Sequence, residues 1–322
     1  MKAVWIEQAG GPEVLQFGDR PIPELGADEM LIKLAAAGVN YTDISQRSGS
    51  NKIPLPAVLG SEGAGTVERV GGGVDNFEPG DRVAYAMVRG SYAEYAAVPA
   101  KMLVKLPEGI DFRTAAAAML QGMTAHYLSH STFPLKAGHT ALIHAAAGGT
   151  GRLLVQMASM LGARVIATVG TEAKAQLARE AGASDAVLYG ETNWVEEVKR
   201  LTGGEGVDVV YDSVGQATFT KGLDCLKMRG MMVHFGQSSG AVPPFDTRVL
   251  SAKGSLFLAR PTLASHIVKP GELAWRAGDL FRWIAKGKIK LRIEQEYPLA
   301  DAAQAHRELE SRRTSGKLLL LL

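Results

Sequence analysis

The sequence predicts an α/β protein that combines a doubly wound parallel sheet of six strands with a second, β-rich domain. Three observations support this prediction. Short apolar runs alternate with helical patterns between residues 141 and 260, short strands punctuated by glycine and proline occupy residues 1–120, and an apolar run ends the chain at residues 318–322. Alternating strands and helices are typical of a parallel sheet. Short strands with glycine and proline turns are typical of a compact β-barrel-like domain.

The β-rich part is predicted from runs of apolar or alternating residues that are bounded by turn residues. The predicted strands cover residues 1–5, 30–37, 63–70, 83–84 and 90–98. An alanine-rich helical pattern follows at residues 113–120 and continues over 122–130 as a connecting helix.

The parallel sheet is predicted from six apolar runs, which alternate with helical patterns. The predicted strands are 141–143, 164–169, 186–188, 207–212, 230–236 and 255–259, and the helices are 154–161, 172–181, 194–202 and 218–226. Helical patterns at 273–286 and 300–312 precede the last strand, which could rejoin the first domain. We therefore predict one domain over residues 1–120 and 261–322 and a second domain over residues 121–260.

A glycine-rich turn follows the first strand of the predicted sheet. It reads Ala146-Ala147-Gly148-Gly149-Thr150-Gly151, an A-x-G-x-x-G pattern that lies between a strand and a helix. This arrangement is typical of a dinucleotide-binding βαβ unit, in which Gly148 lets the backbone approach a pyrophosphate and Gly151 lets helix and strand pack closely. The helix N-terminus then faces the anion. The turn therefore predicts a bound dinucleotide, held at residues 147–150.

The end of the second strand of this unit indicates which dinucleotide binds. An NAD site usually has an acidic residue about 20 residues beyond the turn, where it accepts a hydrogen bond from the ribose 2′-hydroxyl. This chain has Gly170 and Thr171 there, with Lys174 three residues later. Glu172 intervenes, and as a first-turn helix residue it could face solvent and the helix dipole. A hydroxyl and a cation suit a 2′-phosphate, so NADPH is favoured over NADH.

Composition excludes several classes of partner. A net charge of +2 gives no broad basic surface, so nucleic acid is not an expected partner. The single cysteine, Cys225, excludes internal disulfides and fits a reducing compartment. No stretch approaches the roughly 18 uncharged apolar residues of a membrane span, so we expect a cytoplasmic protein without a membrane partner. His126 and His130 are four residues apart, but no third ligand is suggested nearby, so no metal is expected.

Short motifs in a fixed order connect the whole chain to one family. They include Gly10-Gly11-Pro12-Glu13-Val14-Leu15, Ala37-Gly38-Val39-Asn40, Gly60-Ser61-Glu62-Gly63-Ala64-Gly65, Gly80-Asp81-Arg82-Val83, Gln121-Gly122-Met123-Thr124-Ala125, the glycine-rich turn, Asp212-Ser213-Val214-Gly215, Phe235-Gly236-Gln237-Ser238 and Glu310-Ser311-Arg312. With these motifs the chain resembles the zinc-independent quinone oxidoreductases, of the zeta-crystallin type, in the medium-chain dehydrogenase/reductase superfamily. The resemblance implies a GroES-like catalytic domain, interrupted by the Rossmann domain and completed by the C-terminal segment.

The resemblance also implies roles for individual residues. Thr171, Lys174, Tyr189 and Arg312 fall where such enzymes hold the adenosine 2′-phosphate, and a planar guanidinium suits bidentate contact with a phosphate. Asn40 and Thr124 fall beside the nicotinamide. The remaining cofactor positions are Asp212, Ser213 and Val214 along the ribose, and Phe235, Gly236, Ser238, Phe257 and Ala259 beside the carboxamide.

The chain departs from the resembled proteins at two places. Zinc-dependent relatives have Cys and His ligands where this chain has Asn40 and Ser61, and Asp43 with Glu62 does not supply three ligands. Quinone reductases of bacterial origin usually have tyrosines where this chain has Ser45 and Asn51. We assign these two residues, with Arg260, to the substrate pocket.

The chemistry expected from the resemblance belongs to the cofactor, which would donate a hydride from C4 of NADPH to a quinone or similar acceptor. Water or Tyr41 could supply a proton. An enoyl or alkenal reductase is an alternative, because it uses the same fold and hydride donor but must protonate carbon. A non-enzymatic NADPH-binding or RNA-binding protein is an alternative of another class. The resemblance further implies a homodimer formed through the edge strands of two Rossmann sheets.

Overall fold

The structure is a computed structural model that describes residues 1–190 and 193–322. The chain forms two compact units, one of Met1–Met123 with Ile267–Leu322 and the other of Thr124–His266. Among the described residues, no helix combines the length and the apolar content that spanning a membrane would require.

The strands and helices are numbered in chain order. The strands are β1 (Lys2–Ile6), β2 (Gln16–Asp19), β3 (Glu29–Val39), β4 (Ala57–Val58), β5 (Glu62–Val70), β6 (Arg82–Ala86), β7 (Tyr95–Pro99), β8 (Leu103–Lys105), β9 (Thr140–His144), β10 (Arg164–Val169), β11 (Asp185–Leu188), β12 (Val207–Asp212), β13 (Leu226–His234), β14 (Phe257–Ala259), β15 (Ile293–Pro298) and β16 (Lys317–Leu321). The α-helices are α1 (Tyr41–Arg47), α2 (Phe112–Tyr127), α3 (Gly149–Met160), α4 (Glu172–Glu180), α5 (Trp194–Leu201), α6 (Phe219–Leu223), α7 (Arg248–Ala252), α8 (Glu272–Ala285) and α9 (Ala302–Glu310).

The unit of Thr124–His266 contains a six-stranded sheet in the order β11-β10-β9-β12-β13-β14, and every neighbouring pair is parallel. This order starts at β9 in the centre and extends to both edges, which is the doubly wound arrangement. Apolar side chains of β9, β10 and β12, among them Leu142, Ile166 and Val210, are fully buried in its core. The predicted fold class is confirmed.

The other unit is β-rich. Its larger sheet has the order β15-β16-β3-β5-β6-β8, with β7 also pairing with β3, and a smaller sheet has the order β2-β1-β4. The C-terminal strand β16 runs antiparallel to β3, with Leu318 opposite Val39. The prediction that the last strand rejoins the first domain is therefore confirmed, and it brings the chain terminus next to the motif that ends at Asn40.

Two predicted elements differ from the structure. The strand predicted at 90–98 is limited to β7, because residues 90–92 instead form a loop in which the N–H groups of Gly90 and Tyr92 donate to the carbonyls of Gly60 and Leu59. The helix predicted at 218–226 is reduced to α6, because Leu226 already pairs with Val207 as the first residue of β13. The elements β2, β4, β8, β15, α1 and α7 were not predicted.

The turn between β9 and α3 depends on close backbone contact. Ala145 has a positive φ of 50°, and its carbonyl accepts from the Gly148 N–H at 2.9 Å. A Cβ atom on Gly151 would lie 2.3 Å from the Ala145 carbonyl oxygen and 3.0 Å from the Ala146 Cα. These neighbours are backbone atoms, so a side chain at Gly151 would push α3 away from the turn.

Replacing Gly151 with alanine is therefore expected to destabilise the protein by about 1–3 kcal/mol, the usual cost of overpacking. The matched control is Gly170→Ala in the same unit, where an added Cβ meets no atom within 4 Å. Urea unfolding followed by circular dichroism measures both variants. Equal stability of the two variants would contradict the requirement for glycine at position 151.

Candidate active site

The first part of the candidate site is the N-terminus of α3. The helix begins at Gly149, directly after the N-cap Gly148, whose extended backbone has a φ of −72° and which provides no side-chain cap. The first N–H groups of a helix have no partners within the helix and attract an anion. The backbone contact at Gly151 keeps this helix end against the turn. The predicted positions Ala147, Gly148, Gly149 and Thr150 thus lie together at one helix terminus.

A buried polar cluster forms hydrogen bonds with this turn. His144 Nδ1 lies 2.7 Å from Thr168 Oγ1 and 3.0 Å from Tyr189 Oη, and the Ala145 N–H donates to Tyr189 Oη at 3.3 Å. Thr168 Oγ1 also donates to Tyr189 Oη at 2.8 Å. Burial lowers the pKa of His144 to about 4, so its imidazole is neutral at pH 7. The Tyr189 hydroxyl therefore holds the turn, and its contact with a phosphate stays a prediction.

The end of β10 presents the groups that the sequence analysis assigned to the 2′-phosphate. Thr171 is the N-cap of α4, and its Oγ1 accepts from the Lys174 N–H at 3.3 Å. The Glu172 carboxylate forms an exposed ion pair with Arg179, with 2.6 Å between Oε1 and Nη1. Because Arg179 lies against the Glu172 carboxylate, the repulsion between this carboxylate and an anion beside Thr171 is reduced.

The ends of β12 and β13 are joined by hydrogen bonds that bring two predicted groups together. Asp212 Oδ1 accepts from the N–H groups of Val214 and Gly215 at 2.7 and 3.0 Å, and the Asp212 carbonyl accepts from the Phe235 N–H. The Ser238 N–H donates to the Ser213 carbonyl at 3.1 Å. The buried Asp212 side chain thus shapes the loop. Doubly wound folds bind ligands just beyond the carboxyl ends of their strands, and the carboxyl ends of β9, β12 and β13 lie on this side of the sheet.

The other predicted residues of this unit occupy less central positions. Phe257 and Ala259 lie on the edge strand β14, opposite Met231 and Val233, and Arg260 follows directly. Thr124 is a buried residue of α2.

Helix α1 in the β-rich unit contains the predicted proton donor and part of the predicted substrate pocket. Tyr41 Oη donates to the Leu309 carbonyl at 3.0 Å, and burial raises the pKa of Tyr41. Both effects make this phenol a poorer acid at neutral pH.

Arg312, a predicted phosphate ligand, lies just beyond α9 in a left-handed backbone conformation, with a φ of 58°.

The structure brings Ser45 and Asn51 together at the C-terminal end of α1. The Asn51 N–H donates to the Ser45 carbonyl at 2.9 Å, and Ser45 Oγ donates to the Tyr41 carbonyl at 2.9 Å. Ser48 and Ser50 also donate to the Ser45 carbonyl. These two serines were not predicted as site residues, although the run of polar residues after Ser45 could have indicated a polar surface.

Asn40 differs from the other predicted residues because it is almost completely buried, with 4% of its surface exposed. Its Nδ2 donates to Glu62 Oε1 at 2.7 Å, and its Oδ1 accepts from Lys317 Nζ at 2.8 Å. Glu62 was weighed only as a metal ligand, and Lys317 was not predicted as a site residue. Within residues 1–190 and 193–322, no group of three histidine, cysteine or acidic side chains could hold a metal ion.

Comparison with known proteins identifies the family. Two family models match the chain, the alcohol dehydrogenase GroES-like domain over residues 26–108 and the zinc-binding dehydrogenase over residues 149–267. The chain is 46% identical to a quinone oxidoreductase of Pseudomonas aeruginosa over 322 residues, covering 99% of both proteins. It is 38% identical to a 2-haloacrylate reductase of a Burkholderia species over 330 residues, covering 99% of this chain and 98% of that protein.

A solved structure gives the same relationship in three dimensions. The quinone oxidoreductase of Escherichia coli, complexed with NADPH, matches with a TM-score of 0.98 and 44% identity, covering 100% of both chains. The resemblance predicted from the motifs is confirmed. The chain belongs to the quinone oxidoreductases of the medium-chain dehydrogenase/reductase superfamily.

Proposed function

We propose that this protein is a cytoplasmic enzyme that uses NADPH to reduce quinones or similar electron-poor acceptors without a metal. The observation that best supports this proposal is the full-length similarity to quinone oxidoreductases, one of which is solved as a complex with NADPH. The uncapped N-terminus of α3 and the close backbone contact at Gly151 fit a pyrophosphate. Bound NADPH supplies the hydride for the reduction.

The residues of this chain would bind and orient the cofactor. Residues 147–150 would hold the pyrophosphate through backbone N–H groups, and Gly170, Thr171, Lys174, Tyr189 and Arg312 would surround the 2′-phosphate. The ion pair of Glu172 with Arg179 is compatible with NADPH, because the nearby cation reduces the repulsion between this carboxylate and a phosphate. The loop ends at residues 212–214 and 235–238 would contact the ribose and the carboxamide, together with Phe257 and Ala259.

Proton delivery follows from the chemistry of the acceptor. A reduced quinone is a stable phenolate, so it needs no strong acid from the protein. The hydroxyl of Tyr41 already donates to Leu309, and its pKa is raised, so we favour water as the proton source. Asn40 and Thr124 would lie near the nicotinamide, and Ser45, Asn51 and Arg260 would contact the acceptor.

Reduction of an α,β-unsaturated carbonyl compound is the second candidate function. A specific observation favours it, because the Burkholderia relative is named a 2-haloacrylate reductase. The polar surface formed by Ser45 and Asn51 also provides no flat aromatic face for a quinone ring. The hydride donor would be the same, but protonation would occur at carbon.

We further propose that two copies of this chain form a homodimer through β14. This strand is one of the two edges of the six-stranded sheet, the other being β11, among the described residues. Phe257 and Leu258 are 55% and 39% exposed, and an apolar edge strand is suited to pairing with another strand.

Cofactor preference can be tested by replacing Lys174 or Arg312 with alanine. Each replacement should weaken binding of NADPH by about 1.5–3 kcal/mol, the worth of a charge-assisted hydrogen bond, and should leave NADH binding almost unchanged. Fluorescence titration of the cofactors gives both dissociation constants. Lys199→Ala is the control, because it removes an exposed lysine from α5 in the same unit as Lys174. Equal losses for NADPH and NADH would refute the assignment of the 2′-phosphate site.

The acceptor can be identified by following NADPH oxidation with a panel of quinones and α,β-unsaturated carbonyl compounds, in the presence and absence of EDTA. We expect turnover with quinones, unchanged by the chelator. Ser45→Tyr with Asn51→Tyr should raise activity toward flat aromatic quinones relative to small enones. Turnover confined to enones would replace the first proposed function with the second. Loss of activity in EDTA, restored by zinc, would overturn the mechanism without a metal.

The dimer can be tested by sedimentation equilibrium. The wild type should have about twice the chain mass of 34.2 kDa. Leu258→Lys should sediment with the mass of one chain, because it places a charge at the centre of the apolar edge. Met160→Lys, at an exposed position of α3, should remain a dimer. A wild-type protein with the mass of a single chain would disprove the proposal.

A further inference from the structure

Helix α1 is too short to be stable alone. It contains seven residues, whereas isolated helices shorter than about 12–15 residues are marginal in water. Tertiary contacts must therefore fix its position. The side chains that it buries are Asp43, Ile44 and Arg47, while Tyr41 and Ser45 are more accessible.

The N-terminus of α1 is fixed by Asn40, all of whose polar groups have partners inside the unit. The backbone N–H donates to Asp43 Oδ2 at 2.9 Å, and the carbonyl accepts from the Asp43 N–H at 3.0 Å. The side-chain amide binds Glu62 through Nδ2 and Lys317 through Oδ1, as described above. Nδ2 also lies 3.4 Å from the Gly38 carbonyl oxygen, so each polar group of Asn40 already has a partner inside the unit.

Glu62 joins four elements through one buried carboxylate. Oε1 accepts from Asn40 and from the ammonium of Lys317, and Oε2 accepts from the Leu120 N–H at 2.7 Å. The carboxylate therefore connects β5, the start of α1, the C-terminal strand β16 and helix α2. Glu62 and Lys317 are 0% and 2% exposed, so each charge depends on the other for compensation.

Gly38 provides the space for this ion pair. A Cβ atom at position 38 would lie 2.2 Å from Glu62 Oε1 and 2.6 Å from Lys317 Cε. The motif Ala37-Gly38-Val39-Asn40 thus contains a glycine because the ion pair occupies the position of its side chain.

A second set of bonds fixes the side of α1 that faces the core. Arg47 Nη1 lies 3.2 Å from His306 Nδ1, and burial lowers the pKa of His306 to about 3, so this ring is neutral and accepts at Nδ1. Its Nε2–H then donates to Tyr92 Oη at 3.1 Å, and Tyr92 donates to Asp43 Oδ2 at 3.2 Å. Arg47 Nη2 also pairs with Glu310 Oε1 at 2.6 Å. Each group in this series donates to the next, from Arg47 through His306 and Tyr92 to the carboxylate of Asp43.

Asp43 accepts a further bond from Ser61 Oγ at 2.6 Å. The groups that face Asp43 are therefore Ser61, Tyr92 and the Asn40 N–H, with Lys317 and Glu62 as the nearby charges. Burial raises the pKa of Asp43 to about 6. The position of α1 therefore depends on an extensive buried polar network.

We propose that Lys317 and Glu62 are positioning residues for acceptor reduction, which hold α1 and its residues Tyr41 and Ser45 in place through the side chain of Asn40. This inference rests on the proposed function, in which Ser45 contacts the acceptor. The ion pair would influence the acceptor more than the affinity for the cofactor, because the glycine-rich turn and Lys174 belong to the other compact unit, although Asn40 itself is proposed to lie near the nicotinamide.

The test compares Lys317→Met, which removes the charge at similar length, with Lys317→Arg, which retains it. For Lys317→Met we expect kcat/KM for the acceptor to fall about tenfold or more, because small displacements of positioning groups are costly. The dissociation constant for NADPH should change by less than about twofold. Hydrogen–deuterium exchange should increase about tenfold for the amides of residues 41–47, since a loosened short helix opens locally. Lys317→Arg should restore part of each effect.

Three controls separate positioning from general instability. Lys105→Met makes the same substitution in the same unit, at an exposed lysine paired with Asp81, and should change neither kcat/KM nor exchange in α1. The double variant Lys317→Met with Glu62→Gln leaves no unpaired charge and remains a test if the single variant does not fold. Kinetic constants are normalised to the fraction of protein that binds NADPH.

The outcomes distinguish the two proposals. If wild-type protein reduces no acceptor, the proposed function fails, and exchange in α1 alone decides whether Lys317 and Glu62 position this helix. Unchanged exchange at residues 41–47 in both the single and the double variant would overturn the inference. Unchanged acceptor kinetics with increased exchange would also overturn it, because α1 would then not influence the acceptor.

Discussion

The close contact between the start of α3 and the turn after β9 is the constraint on which the cofactor site depends. A pyrophosphate can be held by helical N–H groups only if the helix begins directly beyond the strand, without side chains in between. Gly151 allows this, since its missing side chain leaves space for the Ala145 carbonyl. The turn is also held by hydrogen bonds among the neutral side chains of His144, Thr168 and Tyr189. The turn is thus held by contacts within the protein itself.

The β-rich unit relies on a different kind of organisation. Helix α1 of this unit is short. Buried charged groups fix its position, whereas a longer helix would be held by a large apolar face. Removing one member of a buried ion pair leaves an uncompensated charge, which costs more than the pair contributes. Such a network therefore tolerates simultaneous substitution of both partners better than substitution of one. Its effect is to allow only one position of α1 relative to β3, β5 and β16.

The fold could be predicted from the sequence because its signals are local. Apolar runs of four to six residues, glycine turns and helical periodicity specify a parallel sheet without knowledge of distant contacts. The turn at residues 146–151 was predictable for the same reason, since backbone atoms perform its function. Elements without a strong periodicity were missed, as with β15, whose sequence IEQEYP has little apolar content.

The partners of the site residues could not be predicted, because they come from distant parts of the chain. Lys317 lies 277 residues after Asn40, and only the antiparallel pairing of β16 with β3 brings them together. A single lysine before a run of leucines has no pattern that indicates a buried ion pair. The pairing of Glu172 with Arg179 was nearer to being predictable, since seven residues on a helix return to the same face.

The division between anchored and accessible residues explains how acceptor preference could vary within one fold. Asn40, Asp43, Glu62 and Lys317 are committed to internal bonds, so changing any one of them disturbs the others. Ser45 and Asn51 are joined through their backbones, and the bond from Ser45 Oγ goes to the Tyr41 carbonyl within α1, so replacing either side chain would leave the buried network intact. Specificity can therefore change at the end of α1 while the network at its start stays the same. A hydride donor serves many electron-poor acceptors, and the selection among them falls to such replaceable positions.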